Sequence, residues 1–319
     1  MNTPAPLASS SPVVTVFGGG GFIGRAACEA LLRAGARVRN AERDPRRAFQ
    51  LQPLAGIGQL AMIQADLTRP ASIAHAVAGA GIVINLVGTF ASREQHAVHV
   101  EGARQVAEAA AAAGVTALVH VSAIGADPAS QSHYGRTKGE GEAAVRAAFP
   151  RATILRPSIV FGADDQLTNR FATMARLPIL PVIAPRRKFQ PVFVGDVGRA
   201  IAAAALDPKA FGGRSFDLGG PEVMTMAELN RRIAGLAGQS PEIVEVPDFV
   251  AAAIAKLGFL PGAPLSKDQW LMLQQDNVAD PAAPGLDALG IAPTPLAAVA
   301  PEWLGRFHKG GRFAPSATA

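Results

Sequence analysis

Short apolar runs recur along the first half of the chain, and segments whose apolar positions have helical spacing separate them. The apolar runs predict strands at 13–17, 36–42, 60–66, 81–88, 116–123 and 152–158. Helical spacing is found at 22–35, 70–79, 93–113 and 132–148. Strands that alternate with helices are typical of βαβ units, and continuously apolar strands are typical of a sheet buried on both faces. The pattern therefore predicts an α/β fold, a Rossmann-like doubly wound parallel sheet.

The alternation ends near residue 160, where a stretch rich in proline and basic residues begins. Thr225 precedes a further segment of helical spacing, as expected of a helix N-cap. We therefore expect a smaller, interleaved C-terminal cap beside the sheet. The predicted parts are a flexible N-terminal arm at 1–12, a Rossmann domain at 13–160 completed by about 189–220, a cap at 161–188 and 221–300, and a basic C-terminal tail at 301–319.

Composition narrows the class of protein. Apolar residues make up 49% and charged residues 17% of the 319 positions, which excludes extensive disorder. The formal net charge of +5 indicates acidic neighbours such as phosphates, anionic lipid or an acidic protein, although a mildly basic surface explains it equally well. The single Cys28 excludes a disulfide framework, and neither it nor the six histidines have the spacing of a metal site. We expect His96 and His99 to face solvent.

A glycine-rich turn follows the first predicted strand. The sequence VFGGGGFIG places Gly18, Gly21 and Gly24 in the spacing G-x-x-G-x-x-G directly before a predicted helix. A pyrophosphate can approach such a turn because no Cβ is in the way, and the helix N-terminus supplies N–H groups and a partial positive charge. Its place between the first strand and the first helix indicates a dinucleotide site. We expect Phe22 and Ile23 to contact the same cofactor.

The end of the second strand bears on which nicotinamide cofactor is bound. An acid there binds the ribose hydroxyls, whereas an arginine accommodates a 2′-phosphate. Glu42, Arg43 and Asp44 stand together, so the signal is mixed. We interpret Arg43, assisted by Arg46 or Arg47, as a ligand of a 2′-phosphate, which favours NADP(H) over NAD(H). The other predicted cofactor-binding residues follow later strands: Asp66, Leu67, Asn85, Val87, Gly88 and Pro157.

Tyr134 and Lys138 lie four residues apart in a predicted helix and therefore share one face. A phenol with a pKa of about 10 is a poor base at neutral pH, and a neighbouring ammonium together with an oxidised nicotinamide would lower that pKa. Ser122, at the end of the fifth predicted strand, would orient a substrate oxygen. The three residues predict a catalytic relay in which Tyr134 transfers the proton. Alternatively, Lys138 only binds the nicotinamide ribose and Tyr134 packs beside it.

Several motifs together resemble the short-chain dehydrogenase/reductase superfamily in its extended or atypical branch: GGGGFIG, RDP, HVSAIGA, YGRTKGEGE, ILRPSIVFG and QPVFVGDV. Within that branch, SKDQWLMLQQDNV at 266–278 is similar to the nucleotide-binding accessory subunit of respiratory complex I, the alpha-subcomplex subunit 9 type, and its bacterial relatives. The resemblance implies a bound NADPH that stabilises the fold and docking near the junction of the peripheral arm with the membrane. Phe17 and Thr137 replace the usual threonine and serine, without removing a group that the relay requires.

Three functions are compatible with these features. The first is an accessory or assembly-linked subunit of complex I that holds NADP(H), with peripheral-arm subunits and an anionic membrane surface as its partners. The second is a free NAD(P)-dependent oxidoreductase or epimerase/dehydratase acting on an unknown small molecule. The third is a redox-sensing regulator that binds NADP(H). Nucleic-acid binding is not expected, because aromatic residues make up only 6% of the chain.

The sequence also bears on location. No run approaches the roughly 20 apolar residues that span a bilayer, and the first dozen residues lack the basic start and long apolar run of a secretory signal. We therefore expect a cytoplasmic protein, or one bound peripherally at the cytoplasmic face of the inner membrane.

Overall fold

The computed structural model describes residues 12–256, 258 and 265–308. The strands are, in chain order, β1 (Val13–Phe17), β2 (Arg37–Glu42), β3 (Leu60–Gln64), β4 (Ile82–Asn85), β5 (Ala117–Val121), β6 (Thr153–Pro157), β7 (Val160–Phe161), β8 (Ile179–Val182), β9 (Lys188–Phe189), β10 (Val192–Phe193), β11 (Ser215–Leu218), β12 (Met224–Thr225) and β13 (Glu242–Glu245).

The helices are, in chain order, α1 (Phe22–Arg33), α2 (Pro70–Val77), α3 (Ala103–Ala112), α4 (His133–Ala148), α5 (Gln166–Met174), α6 (Val194–Leu206), α7 (Pro208–Phe211), α8 (Met226–Leu236), α9 (Asp248–Lys256), α10 (Lys267–Met272), α11 (Leu296–Val299) and α12 (Pro301–Leu304). A π-helical turn precedes α3 at Ala97–Gly102. Segments of 3₁₀-helix lie at Pro45–Leu54, Asp287–Leu289 and Gly305–Phe307.

Seven strands form one sheet in the order β11–β6–β5–β4–β1–β2–β3. The pairs β1–β2, β1–β4, β2–β3, β4–β5 and β5–β6 are all parallel. The order reverses at β1, because β2 and β3 lie on one side of it and β4 and the later strands on the other. Ligands of open α/β sheets bind at such a switch point, at the carboxyl ends of the strands. The predicted Rossmann-like doubly wound parallel sheet is confirmed.

The central strands β1, β4 and β5 of this sheet form where the sequence is mostly apolar. Every position of β4 and β5 is buried, as expected for strands that are covered on both faces. Side chains of α2 and α3 pack on the sheet in one core that includes Phe17, Ile73, Val106 and Leu118. Burying a side chain of this size contributes about 1.5–3 kcal/mol, so these contacts hold the helices to the sheet.

The chain divides into two compact units, each with an apolar core. The first carries the seven-stranded sheet and comprises the residues up to Arg156, Gly195–Asp217 and Ala283–Ile291. The second comprises Pro157–Val194, Leu218–Ala282 and the residues from Ala292 onward. Both units are therefore made of separate stretches of the chain.

The core of the second unit includes the buried side chains of Phe161, Leu180 and Leu229. Its helix α8 begins at the predicted N-cap, Thr225. The Thr225 hydroxyl accepts a hydrogen bond from Glu228 N at 3.2 Å, and the Glu228 carboxylate accepts one from Thr225 N at 2.7 Å. This capping box satisfies amide groups that the start of a helix leaves without partners, and it confirms the predicted helix start.

Two predicted segments lie largely outside the described residues. Of the predicted N-terminal arm only Pro12 is described, and the predicted C-terminal tail is described as far as His308. Within the part of the chain that the structure describes, no helix combines the length and apolar character needed to cross a bilayer.

Candidate functional site

The glycine-rich turn joins β1 to α1 at the switch point of the sheet. Gly18 has a φ of +86°, a left-handed conformation that glycine adopts at little cost. Gly21 N donates a hydrogen bond to the Gly18 carbonyl oxygen at 3.1 Å, which closes the turn. A Cβ at Gly24 would stand 2.1 Å from that same oxygen. Glycine at position 24 is therefore required for α1 to pack this closely against the turn.

The start of α1 is suited to binding an anion. Gly21 is the N-cap residue of α1 and has no side chain to bond the first helix N–H groups. The first turn of α1, which begins with Phe22 and Ile23, contains no acidic residue. The helix N–H groups and their partial positive charge are thus not neutralised by a side chain. This arrangement fits the pyrophosphate of a dinucleotide, which would bind to the backbone of the turn.

Glu42, at the end of β2, reaches back to the glycine-rich turn. Its Oε1 accepts a hydrogen bond from Gly20 N at 2.6 Å. Burial raises the pKa of the Glu42 carboxyl, and the Gly20 amide opposes that rise. Arg43 is exposed at the same strand end, whereas Arg46 forms an ion pair with Asp44 at 2.9 Å. Glu42 is therefore bonded to the glycine-rich turn, whereas Arg43 is exposed at the end of the same strand.

Asn40, which was not among the predicted site residues, packs beneath the glycine-rich turn. It is fully buried in β2, and neither its Oδ1 nor its Nδ2 has a hydrogen-bond partner among the described residues. A Cβ at Gly19 would stand 2.2 Å from Asn40 Oδ1, so the amide directly supports the turn. The only signal in the sequence was an amide at an inward position of a strand.

The residues predicted after β3 stabilise their own loop. Asp66 Oδ1 accepts hydrogen bonds from the Thr68 amide at 2.9 Å and from the Thr68 hydroxyl at 2.8 Å, and the amide bond is the main reason that the pKa of Asp66 is lowered. Leu67 is buried in the core. Pro157 is buried at the end of β6. Contacts of these three residues with a cofactor stay predictions.

Asn85 ends β4 and shapes the loop that follows. Its Oδ1 accepts a hydrogen bond from Val87 N at 3.1 Å. Val87 lies against the glycine-rich turn, because its side chain is 3.3 Å from the position that a Cβ on Gly18 would take. Lys138 Nζ is 3.7 Å from the corresponding position on Gly88. The loop after β4 therefore lies between the glycine-rich turn and α4.

Ser122 and Lys138 meet at the carboxyl end of β5. Lys138 Nζ donates a hydrogen bond to Val121 O at 3.1 Å, directly before Ser122. Ser122 N donates to Leu155 O at 2.7 Å, while its buried Oγ has no hydrogen-bond partner within the described chain. An unsatisfied buried hydroxyl at this place is what a site for a substrate or cofactor oxygen would show. The catalytic roles assigned from the sequence stay predictions.

Tyr134 lies one turn before Lys138 on α4, as the spacing predicted. Its ring stacks on Phe90, with centroids 5.0 Å apart and planes 15° apart. Burial raises the pKa of Tyr134 to about 12, and burial lowers the pKa of Lys138 to about 8 against the opposing charge of Glu142. Desolvation dominates the pKa of Tyr134, and the Lys138 ammonium is directed at a backbone carbonyl, while the lowering by an oxidised nicotinamide stays a prediction.

His99 was expected to face solvent, and that expectation is wrong. The residue is 2% exposed, whereas His96 is exposed as expected. His99 lies in the π-helical turn, whose backbone packs so tightly on α4 that a Cβ at Gly141 would stand 2.1 Å from His99 O. The sequence did not show this burial because the covering helix is about forty residues away along the chain.

Comparison with known proteins agrees with this geometry. A family model described as NAD(P)H-binding matches residues 18–178, about half of the chain. The mouse protein named NADH dehydrogenase [ubiquinone] 1 alpha subcomplex subunit 9, mitochondrial, is 36% identical over 295 residues, which span 90% of this chain and 78% of the mouse protein. The chain belongs to the NAD(P)H-binding family of alpha subcomplex subunit 9. The resemblance expected from its motifs is confirmed.

Other members of the wider group are reductases. A ceramide reductase of Caulobacter vibrioides is 32% identical to this subunit 9 family member over 241 residues, 74% of each chain. The fold is shared with an Escherichia coli NADPH-dependent quinone oxidoreductase solved with NADPH, at a TM-score of 0.72 and 19% identity over 89% of this chain and 97% of that one. The glycine-rich turn and the family together establish a nicotinamide nucleotide as the cofactor type.

No metal centre accompanies this site in the described ranges, where no group of three or more His, Cys, Asp and Glu side chains is placed to hold an ion. The chemistry that the residues offer is the binding of a dinucleotide by the turn and the placing of Ser122, at the end of β5, near Tyr134 and Lys138 of α4.

Proposed function

We propose that this chain is an accessory or assembly-linked subunit of NADH:ubiquinone oxidoreductase, complex I, whose bound NADP(H) stabilises the fold and is not turned over. The observation that carries the proposal is the 36% identity to the mouse alpha subcomplex subunit 9 over 90% of this chain. A match of that extent covers the later segments as well as the nucleotide-binding half, and a shared cofactor fold alone does not require it.

A structural role for the cofactor has support in the site itself. Burial raises the pKa of Tyr134 to about 12, so the phenol keeps its proton at neutral pH, which disfavours a role for Tyr134 as a general base. The exposed Phe90 stacks on the ring of Tyr134, with the two ring centroids 5.0 Å apart. A phenol that keeps its proton is compatible with a cofactor that is held and not turned over.

We infer that NADP(H) is preferred over NAD(H). Glu42 accepts a hydrogen bond from Gly20 N at 2.6 Å, so its carboxylate is engaged by the turn. Arg43 is exposed beside it, at the strand end where a 2′-phosphate would be met. Arg46 is paired with Asp44 and contributes less. An exposed guanidinium suits a phosphate because it offers several donors in one plane.

The partners that we propose are peripheral-arm subunits of complex I, with a peripheral location at the membrane. The net charge of +5 would favour the anionic surface of the membrane and acidic subunits. Exposed apolar side chains such as Phe249 and Leu177, which are 76% and 59% exposed, would suit burial against a subunit.

The test is to tag the chain in the organism that carries it, purify complex I under mild detergent, and identify the subunits by mass spectrometry. We expect the chain to co-purify in a fixed ratio, and NADPH to be released when the complex is denatured. A chain that is absent from the complex, and that oxidises NADPH steadily when isolated, would contradict the proposal. The same purification with an untagged strain controls for non-specific capture.

The second candidate is a free NAD(P)-dependent oxidoreductase or epimerase/dehydratase. It is favoured by the buried Ser122 Oγ, which lacks a partner within the described residues, and by the 32% identity to the ceramide reductase. In this function Ser122 would orient the substrate oxygen, Tyr134 would transfer the proton and Lys138 would lower the pKa of Tyr134, while the nicotinamide would supply the hydride.

Tyr134→Phe separates the two candidates, because it removes one hydroxyl and leaves the ring that packs on Phe90. If the chain is an enzyme, steady-state turnover with carbonyl substrates should be abolished while titration shows nearly intact cofactor binding. Unchanged turnover would rule out proton transfer by Tyr134. Normal assembly of complex I with the variant would support the structural role.

A further inference from the structure

One buried histidine connects the loop after β4 to α4. Thr89 N donates a hydrogen bond to His99 Nε2 at 3.0 Å. Because Nε2 is the acceptor, the hydrogen of the neutral ring is placed on Nδ1, which lies 3.0 Å from Thr137 Oγ1. The Thr137 hydroxyl then donates to the Tyr134 carbonyl oxygen at 3.1 Å. The donor and acceptor roles are therefore consistent along these bonds. His99 accepts at Nε2 and donates at Nδ1, and the Thr137 hydroxyl accepts from His99 and donates to Tyr134 O.

The environment of His99 keeps the ring neutral and fixed. Burial first, and then the charges of Lys138 and His133, lower the pKa of His99 to about 3. The π-helical turn that carries His99 packs on Gly141 of α4, where a Cβ would stand 2.1 Å from His99 O. Turns of this kind are rare and are often found at functional sites. The ring therefore has one protonation state near neutral pH and little room to move.

The ring of His99 also lies beside Gly88 and Lys138, at the end of the site that lies against α4. His99 Nε2 and Lys138 Nζ are both 3.7 Å from the position that a Cβ on Gly88 would take. The ring of His99 meets the ring of Tyr134 edge-on, at 5.4 Å and 89°. A shift of the histidine would therefore change the spacing between the loop after β4 and the Tyr134–Lys138 face of α4.

We propose that His99 is a positioning residue for the nicotinamide half of the cofactor. It sets the distance between the Gly88 backbone and the Tyr134–Lys138 face of α4 through its two hydrogen bonds, and it does not itself touch the cofactor. This inference rests on the proposed binding of NADP(H). It goes further because it assigns the pyrophosphate to the glycine-rich turn and the nicotinamide half to the residues that His99 positions.

The test compares two ligands on the full-length protein by isothermal titration calorimetry. NADPH has both halves, whereas 2′-phospho-ADP-ribose keeps the adenosine and the pyrophosphate but lacks the nicotinamide. For His99→Leu we expect the Kd for NADPH to rise about tenfold, since a buried amide and hydroxyl lose their partner. The Kd for 2′-phospho-ADP-ribose should stay within about twofold of the wild-type value. His96→Leu, the same change at an exposed position, should alter neither.

A second pair of variants tests the other hydrogen bond and decides the matter if His99→Leu does not fold. Thr137→Ser keeps the hydroxyl and should bind NADPH like the wild type, whereas Thr137→Val removes it and should weaken NADPH selectively. Equal losses for both ligands, or no loss for NADPH, would overturn the role of His99. A wild-type protein that binds neither ligand would overturn the cofactor proposal itself.

Discussion

The two ends of the cofactor site are built from different parts of the polypeptide. Around the start of α1 the groups offered are mainly backbone: the Gly21 amide bonds to the Gly18 carbonyl, and the Gly20 amide bonds to the carboxylate of Glu42. Around α4 they are made by buried side chains, among which His99 is 2% and Lys138 is 5% exposed. Backbone groups carry the same charge at every pH, whereas buried ionisable side chains do not. The glycine end should therefore be sensitive to any added Cβ, and the α4 end to pH.

The largest effect that we expect from this difference is that of Gly24→Ala. The new Cβ would stand 2.1 Å from the Gly18 oxygen and 2.6 Å from Gly19 Cα, and both are backbone atoms that can yield only if the turn opens. NADPH binding should fall by at least about a hundredfold, and the free energy of unfolding by about 1–3 kcal/mol. Calorimetric titration and urea unfolding measure the two quantities.

Gly235→Ala is the matched control, because no neighbouring heavy atom of the described chain lies within 4 Å of its Cβ position in α8. It should leave cofactor binding unchanged and stabilise the protein by about 0.5–1 kcal/mol, through the helix propensity of alanine. If Gly24→Ala binds NADPH as well as Gly235→Ala does, the turn is not the pyrophosphate site.

The second effect is acid destabilisation that arises at the α4 end. Burial lowers the pKa of both His99 and His120 to about 3 from the usual 6.5. Below about pH 6.5 the unfolded chain takes up protons at both histidines and the folded chain does not, so stability is full above that pH and is lost as pH falls towards 3. We expect the two histidines to contribute a loss of about 3 kcal/mol between pH 6.5 and 5, which the raised pKa of Glu42 partly offsets, measured by urea unfolding without cofactor.

His99→Leu should remove about half of this dependence on pH, and His75→Leu, at an exposed position of α2, should leave it as it is. The carboxyl groups with lowered pKa, such as Asp44 and Asp66, titrate at lower pH and do not contribute in this window. The same dependence on pH in the wild type and in His99→Leu would show that the imidazole of His99 takes up protons in the folded protein.

The smallest effect concerns the choice of nucleotide at the glycine end. Arg43→Ala should weaken NADPH about five- to tenfold at low salt and leave NADH nearly unchanged, because only NADPH carries the 2′-phosphate. Arg33→Ala removes the same charge at the opposite end of α1 and should change neither. Equal weakening of both nucleotides would assign Arg43 to the pyrophosphate or the adenine instead.

Much of the fold could be predicted from the sequence because the signals are local. The predicted strand at 60–66 is observed at Leu60–Gln64, and the predicted helix at 132–148 at His133–Ala148. The glycine spacing at Gly18, Gly21 and Gly24 located the turn for the same reason, since a missing Cβ is a property of the residue itself. The burial and the hydrogen bonds of the side chains around α4 could not be predicted in this way, because their surroundings come from distant segments.

His99 shows why the rest could not be predicted. A histidine on a helix can lie in solvent or in the core. His99 lies in the core, where its Nδ1 bonds to the hydroxyl of Thr137, 38 residues away along the chain. The pKa of Tyr134 was expected to fall through a neighbouring lysine together with an oxidised nicotinamide. The structure directs that lysine to Val121 O, and burial raises the pKa to about 12.

By itself the sequence determined the alternation of strands and helices up to about residue 160, the place of the glycine-rich turn and the helical face shared by Tyr134 and Lys138. These follow from apolar periodicity, from the absence of a Cβ and from helical spacing, all of which act over a few residues. Only the tertiary structure decided that Glu42 binds Gly20 N, 22 residues away, and that the imidazole of His99 is sealed between a loop and a helix. The physical reason is that desolvation and hydrogen bonding depend on which distant groups folding brings together.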